Sequence, residues 1–144
     1  MAKDKDVRFS KFGTVSFTSL TQVNDFIDYL EQGKIMGTVC KDCGQKFFPP
    51  RAQCYKSLSS NMDWFEVTGK GKLVSFSTLR YGPTGFTDEL PYTIALVDYG
   101  DYKVFGRISP AVANPDEALK VGMEMQAKAA KTSNGQLTYV FELA

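Results

Sequence analysis

Cys40-Lys41-Asp42-Cys43-Gly44, followed by Phe47-Phe48-Pro49-Pro50-Arg51-Ala52-Gln53-Cys54, is the stretch whose reading decides the fold. A C-x-x-C lets one tight turn aim two thiolates at a single metal ion, and the glycine after it permits the positive φ that such a turn wants. Cys54 lies eleven residues beyond Cys43, across a stiff proline-bearing segment. Prolines there restrict the chain and lower the entropy lost in bringing the second half of a site to the first. Thiolate donors without a redox-cluster pattern favour zinc in tetrahedral coordination. A full four-cysteine site would place its last ligand at position 57, where this chain has Ser57. The fourth ligand is then Ser57, a nearby carboxylate such as Asp63, or water. Carboxylate oxygen is an accepted zinc ligand and a neutral hydroxyl a poor one, which tips the expectation towards Asp63.

Other readings of the same cysteines remain. A redox C-x-x-C wants a helix N-terminus in a βαβ context to lower the thiol pKa, and the Phe-Phe-Pro-Pro run does not read as helix. Plain buried cysteines without metal are a further possibility. Catalytic zinc is the poorest fit, because three thiolates make the ion electron-rich and a weak Lewis acid.

Working outward, 144 residues suit one compact domain, or a small metal knuckle attached to one modest core. With 43% apolar and 23% charged residues and a net charge of +1, the chain offers no electrostatic reason to bind nucleic acid or a membrane. No run approaches the ~20 apolar residues that span a bilayer. The charged start, Met1-Ala2-Lys3-Asp4-Lys5-Asp6, lacks the apolar region of a secretory signal, so the expected address is the cytoplasm. In that reducing compartment three cysteines argue against a disulfide framework. The chain has no histidine, which removes the commonest general base, every Ser-His or Cys-His pair and the commonest nitrogen ligand.

Residues 1–18 read as an arm whose Phe9, Phe12, Val15 and Phe17 would dock on the body or on a partner. Residues 20–32 form the clearest helix, with Val23, Phe26, Ile27 and Leu30 on one apolar stripe. Ser19 and Gln22 resemble a capping box, and Gly33 falls where a left-handed cap belongs. The stripe would pack on the domain core or on another subunit. Asp63–Val67 reads as a strand leaving the cysteine region. Five further strands follow, at Leu73–Leu79, Tyr92–Tyr99, Tyr102–Ile108, Met123–Ala130 and Leu137–Leu143, with turns at Gly100-Asp101 and Asn134-Gly135. A short helical stretch, Pro115–Leu119, opens after Asn114 as a candidate cap. This pattern fits a small Greek-key barrel of the OB type, with a sandwich of similar strand count as the alternative. The expected fold is mainly β: an N-terminal arm and helix over 1–33, a zinc ribbon over 34–66, and a five-stranded OB-fold barrel over 67–144.

Gly33-Lys34-Ile35, Cys40-x-x-Cys43-Gly44, Phe48-Pro49-Pro50-Arg51-x-x-Cys54 and Trp64-x-x-Val67-x-Gly69-x-Gly71 occur in one order at tight spacing. Pro91-Tyr92, Gly106-Arg107-Ile108, Gly122-Met123 and Tyr139-x-Phe141 follow in the barrel. Over roughly residues 20–144 this resembles the DUF35 family, in which a rubredoxin-like zinc ribbon precedes an OB-fold associated with acyl-CoA enzymes. The resemblance implies zinc as cofactor and a non-catalytic role beside a larger catalytic subunit, a thiolase of the sterol-carrier type or an acyl-CoA hydratase of the hotdog fold. Ribbon and barrel would support that partner and help shape its acyl-CoA or coenzyme A site. Within the family, size and overall character resemble the small subunit of a thiolase. Ser57 departs from the cysteine usual in the family.

Nineteen aromatics (11 Phe, 7 Tyr, 1 Trp) are many for so small a core. The Phe9/Phe12 arm, Tyr81 and Phe86 would cover a partner surface or simply pack internally. The loop Tyr81–Phe86 would face a ligand or partner. Arg51, Lys70, Lys72 and Arg80 would meet coenzyme A phosphates or stand as solvated surface, and no glycine-rich phosphate cradle accompanies them. A nucleic-acid-binding module is the reading from another class, disfavoured by the near-zero charge and by Asp88-Glu89 in a candidate barrel loop. A stand-alone redox or metal-handling protein is the third.

Overall fold

The computed structural model describes residues 6–14 and 21–144. Its first helix, α1 (Asp25–Glu31), is shorter than the 20–32 stretch expected. Val23 N donates to Thr21 Oγ1 (3.3 Å) and Asn24 Nδ2 to Thr21 O (2.9 Å), so a side-chain-closed turn occupies what would be the first helical turn. Gln22 stays outside the helix, and Ser19, the other half of the expected capping box, lies outside the described residues. At the far end, Lys34 N bonds Tyr29 O (2.9 Å), Gly33 N bonds Leu30 O (3.0 Å), and Gly33 has φ +83°. That paired closure needs a left-handed residue, which glycine supplies without strain. Phe26, Ile27 and Leu30 are buried in the main core, so the stripe packs on the body of this chain.

Three antiparallel strands form the ribbon, β1 (Met36–Cys40), β2 (Lys46–Phe47) and β3 (Met62–Glu66), in the order β2-β1-β3. The barrel follows as β4 (Gly71–Leu79), β5 (Tyr92–Asp98), β6 (Lys103–Ile108), β7 (Glu124–Lys131) and β8 (Leu137–Leu143). They close in the order β4-β5-β6-β8-β7, with β8 parallel to β6 and every other pair antiparallel. Placing β8 between β6 and β7 makes a closed Greek key of the OB type and excludes the sandwich. Between β6 and β7 lies α2 (Pro115–Ala118). Asn114 occupies its cap position in a left-handed conformation, without the side-chain cap hydrogen bond expected of it.

Strict alternation fills the barrel: along β5, Thr93, Ala95 and Val97 are buried and their neighbours half-buried. Leu73, Val104, Ile108, Met125 and Phe141 complete the interior. Ile35 and Val67, side by side where β1 begins and β3 ends (Val67 N to Ile35 O, 2.8 Å), belong to the same cluster as α1 and the barrel, so ribbon and barrel grow from one core. Their junction is reinforced at the β5–β6 hairpin. Tyr102 meets Phe65 at 4.8 Å between centroids, while Lys46 lies over both rings and pairs with Asp101 at 3.4 Å.

The arm docks on the body where it is described. Phe9 stacks on Phe26 (5.9 Å), Phe12 meets Phe26 edge-on (5.8 Å) and stacks on Tyr139 (6.4 Å). Arg8 pairs with Asp25 (2.9 Å) and Asp28 (2.5 Å) on α1. Val15 and Phe17 lie outside the described residues. Among the described residues no helix is long and apolar enough to cross a membrane.

Candidate metal centre

Two knuckles of the same shape face each other at the end of the ribbon. In the first, which connects β1 to β2, Cys40 N donates to Gln45 O (2.9 Å) and Gly44 turns the chain at φ +78°. In the second, between β2 and β3, Cys54 N donates to Ser59 O (2.9 Å) and Leu58 turns the chain at φ +59°. Lys41 N to Asn61 O (2.9 Å) and Asn61 Nδ2 to Asp42 Oδ1 (3.3 Å) tie the two together.

The sulfurs of Cys40, Cys43 and Cys54 all lie within 4.8 Å of one another. Cys43 Sγ is 3.5 Å from Cys54 Sγ, and Ser57 Oγ is 3.3 Å from Cys40 Sγ. Cys40 and Cys54 are buried beside Phe47 and Met62, and Cys43 is exposed at the rim. All three are free thiols, too far apart for a disulfide.

Hydrogen bonds favour ionised sulfur at two of the three positions. The Ser57 hydroxyl, helped by the N–H groups of Ser57 and Lys56, draws the Cys54 thiol down to about 6 against the opposing effect of burial. At Cys40 the Ser57 hydroxyl is again the chief influence, joined by the N–H groups of Cys43 and Asp42, and the thiol is lowered. The Gln45 N–H pulls Cys43 the same way, but burial and the two neighbouring sulfurs outweigh it and its pKa rises. Three sulfurs this close resist carrying three negative charges unless a cation sits among them.

A tetrahedral zinc ion with Zn–S near 2.3 Å sets sulfurs about 3.8 Å apart. The sulfurs, with one pair at 3.5 Å and all within 4.8 Å, bracket that spacing, and these soft donors and the inward-turned N–H groups suit that ion. The residues present therefore fit zinc. The redox alternative finds no support in the geometry, because the C-x-x-C sits on a strand-connecting turn and not at a helix end.

Asp63, the expected fourth ligand, is not brought to the sulfurs. It lies on β3 next to Met62, which packs on the cysteine cluster, and alternation sends the exposed Asp63 to the opposite face of the ribbon. Its Oδ1 accepts from Trp64 N (2.9 Å).

The four candidate phosphate-binding cations do not converge either. The Arg51 guanidinium lies over the Phe47 ring (5.3 Å), Lys70 faces Glu124 (3.7 Å) and Arg80 pairs with Asp116 (3.0 Å). Lys72 stands in register between Asp98 and Glu124. Lys70 and Lys72 are at one end of β4 and Arg80 is beyond the other, about 25 Å away at the rise of an extended strand.

Sequence reasoning singled out Phe12, Arg80 and the Tyr81–Phe86 loop separately but missed Arg107 and the way they gather at the end of the barrel between the β4–β5 and β7–β8 connections. A groove of about 880 Å³ opens there, lined among others by Arg80, Glu89, Tyr92, Arg107 and Lys128. Beside it a smaller hollow of about 360 Å³ is lined by Phe12, Phe86, Tyr92, Phe105, Arg107 and Tyr139. Arg107 joins the two: it pairs with Glu89 (3.2 Å), donates to Thr14 Oγ1 (2.6 Å) and lies over the rings of Tyr92 (4.7 Å) and Phe86 (5.2 Å). The available signal was the alternation of β6, in which buried Val104 and Ile108 leave Phe105 and Arg107 facing outward.

Comparison with known proteins matches residues 28–63 to the rubredoxin-like zinc ribbon domain of ChsH2 and residues 64–130 to its C-terminal OB-fold domain. A DUF35 domain-containing scaffold protein of Pyrococcus furiosus is 31% identical over 98 residues, 68% of this chain and 70% of the relative. One from Methanocaldococcus jannaschii is 30% identical over 95 residues, 65% of each chain, so just under two thirds of that relative is spanned. Among solved structures, the Ltp2-ChsH2(DUF35) aldolase superposes with a TM-score of 0.70 at 20% identity, covering 87% of this chain and 97% of that one. A DUF35 protein of unknown function from Sulfolobus solfataricus gives 0.54 at 20% identity, covering 90% and 88%. These two likenesses concern the fold.

Proposed function

The chain belongs to the DUF35 family, and from that premise we propose that it is a zinc-containing accessory subunit of an acyl-CoA thiolase, supporting a larger catalytic subunit without supplying the reacting groups. The observation that carries this reading is the outward face of the barrel. Phe105 (55% exposed) lines the aromatic hollow with Phe12, Phe86, Tyr92 and Tyr139, and Tyr81 (88% exposed) follows two residues after Leu79 of the same lining, a composition suited to burial against another protein. Two kinds of relative support it: curated family members are named scaffold proteins, and one structural neighbour is an aldolase named for two components. Zinc held by Cys40, Cys43 and Cys54 would act as a structural staple, fixing the ribbon against the barrel. A cytoplasmic address belongs to the same proposal, since thiolate ligands require a reducing compartment. Coenzyme A or an acyl-CoA would be shared with the catalytic subunit, and the narrowest form of the reading is the small subunit of a benzoylsuccinyl-CoA thiolase in aromatic degradation.

Partnership with a hotdog-fold acyl-CoA hydratase differs only in what is bound. The nucleic-acid reading is weakened by the pairing of Arg80 with Asp116 and of Arg107 with Glu89 at the barrel end, which leaves those cations neutralised. Pull-down of the chain from its native host, with mass spectrometry of what accompanies it, decides among them. A thiolase-type subunit in stoichiometric amount is expected, and the purified chain alone should cleave no carbon–carbon bond. Recovery of the chain by itself, or thiolytic activity in its absence of a partner, would overturn the proposal.

A further inference from the structure

The two knuckles correspond position by position. Cys40 and Cys54 each donate N–H to the carbonyl five residues on, at Gln45 and Ser59. Gly44 and Leu58 each take the left-handed conformation four residues on. The residue three on is Cys43 in the first knuckle and Ser57 in the second, so Ser57 occupies the place that mirrors a thiolate. Its Oγ is 3.3 Å from Cys40 Sγ, while its N–H points at Cys54 Sγ at 3.5 Å. Cys40–Ser57 and Cys43–Cys54, at 3.3 and 3.5 Å, are two close pairs that share no atom, as two opposite edges of a tetrahedral donor set would be. Zinc bonds near 2.3 Å to sulfur and about 2.1 Å to oxygen would set a mixed edge at about 3.6 Å.

We propose that Ser57 Oγ is the fourth ligand, giving a centre of three thiolates and one side-chain oxygen. A neutral hydroxyl is a weak donor when it must be recruited from solution. Here the knuckle backbone has already placed it at the vacant corner, so little ordering entropy remains to be lost on coordination. Asp63 has the stronger donor atom, but its strand carries it to the other face of the ribbon.

The full-length chain loaded with cobalt(II), a tetrahedral spectroscopic substitute for zinc, provides the test, with zinc affinity measured alongside by chelator competition. Ser57→Cys should raise the thiolate-to-cobalt charge-transfer absorbance by about a third, as three thiolates become four, and tighten zinc by about tenfold or more. Ser57→Ala should shift the cobalt d–d bands and weaken zinc by about tenfold, and Asp63→Ala should leave both unchanged. A Ser57→Ala protein with wild-type bands and affinity would overturn the assignment in favour of water. A change in Asp63→Ala unaccompanied by one at Ser57 would overturn it in favour of the carboxylate. Should Ser57→Ala fail to fold, Ser57→Cys decides alone, since absence of added charge-transfer intensity would mean that position 57 does not reach the metal.

Discussion

At the scale of single residues, the second knuckle holds a conformation that its side chain resists. Leu58 is 84% exposed and sits at φ +59°, where its Cβ crowds the following carbonyl at a cost of about 1–2 kcal/mol. Leu58→Gly removes that strain and restores about 0.5–1 kcal/mol of unfolded-chain entropy. A net gain of about 0.5–1 kcal/mol is expected, read as a higher urea midpoint at constant slope for the metal-loaded protein. Gly71 behaves in the opposite sense. A Cβ there would stand 2.5 Å from Val97 Cγ1 and 2.9 Å from Asp98 O, so Gly71→Ala forces β4 off β5 and should cost about 1–3 kcal/mol in the same titration. The cysteines were legible because C-x-x-C-G is a pattern of identities. The matching half was legible only as a spacing: Cys54 marked position 57 as the place of a missing cysteine, but Ser57-Leu58 shows neither the thiol nor the glycine that would have announced a second knuckle. Asp63 drew attention as the better ligand atom, and only the alternation beside Met62 reveals which way it faces.

Among the elements, strands with alternating burial were read closely and the helix was not. Each barrel strand begins or ends within about a residue or two of expectation, since the period-2 pattern carries the signal along its whole length. The helix lost its first turn to local bonds from Thr21, which compete with helical ones and leave no trace in hydrophobic periodicity. What remains of α1 is held by aromatic packing. Phe26 is buried against Phe9, Phe12 and Phe48, so Phe26→Ala should cost about 3–5 kcal/mol and release the arm, seen as protease cleavage near residues 8–12. The β5–β6 hairpin offers a pH-dependent test. Burial, with the nearby Tyr99 and Asp101, pushes the Tyr102 phenol up to about 12. A phenol whose folded pKa exceeds its unfolded value of about 10 stabilises the fold below pH 10, and that contribution is lost as pH rises from about 10 to about 12. An ultraviolet titration should show one tyrosine ionising near that upper value. In Tyr102→Phe both that step and its share of the alkaline destabilisation should disappear.

For the whole molecule, the distribution of buried side chains separates what the metal holds from what holds itself. The main core runs from α1 through Ile35 and Val67 into a barrel closed by hydrogen bonds on every side. The ribbon's own cluster consists of Cys40, Phe47 and Cys54 with Met62 against it, too little apolar surface to order a three-stranded sheet. If the thiolates hold zinc, its binding free energy is the ribbon's folding free energy, and chelation should act there first. Phe65 against Tyr102 and the Lys46–Asp101 pair then tether a loosened ribbon to the hairpin without transmitting the collapse, because the hairpin's own ladder to β4 and β8 is unaffected. Hydrogen exchange of the full chain with and without a zinc chelator separates the two outcomes. Amides across 36–66 should lose protection while those of β4–β8 keep it. Equal loss in both would mean that the barrel depends on the metal and that ribbon and barrel unfold as one unit, whereas no loss in either would mean that the cysteine cluster carries no structural ion.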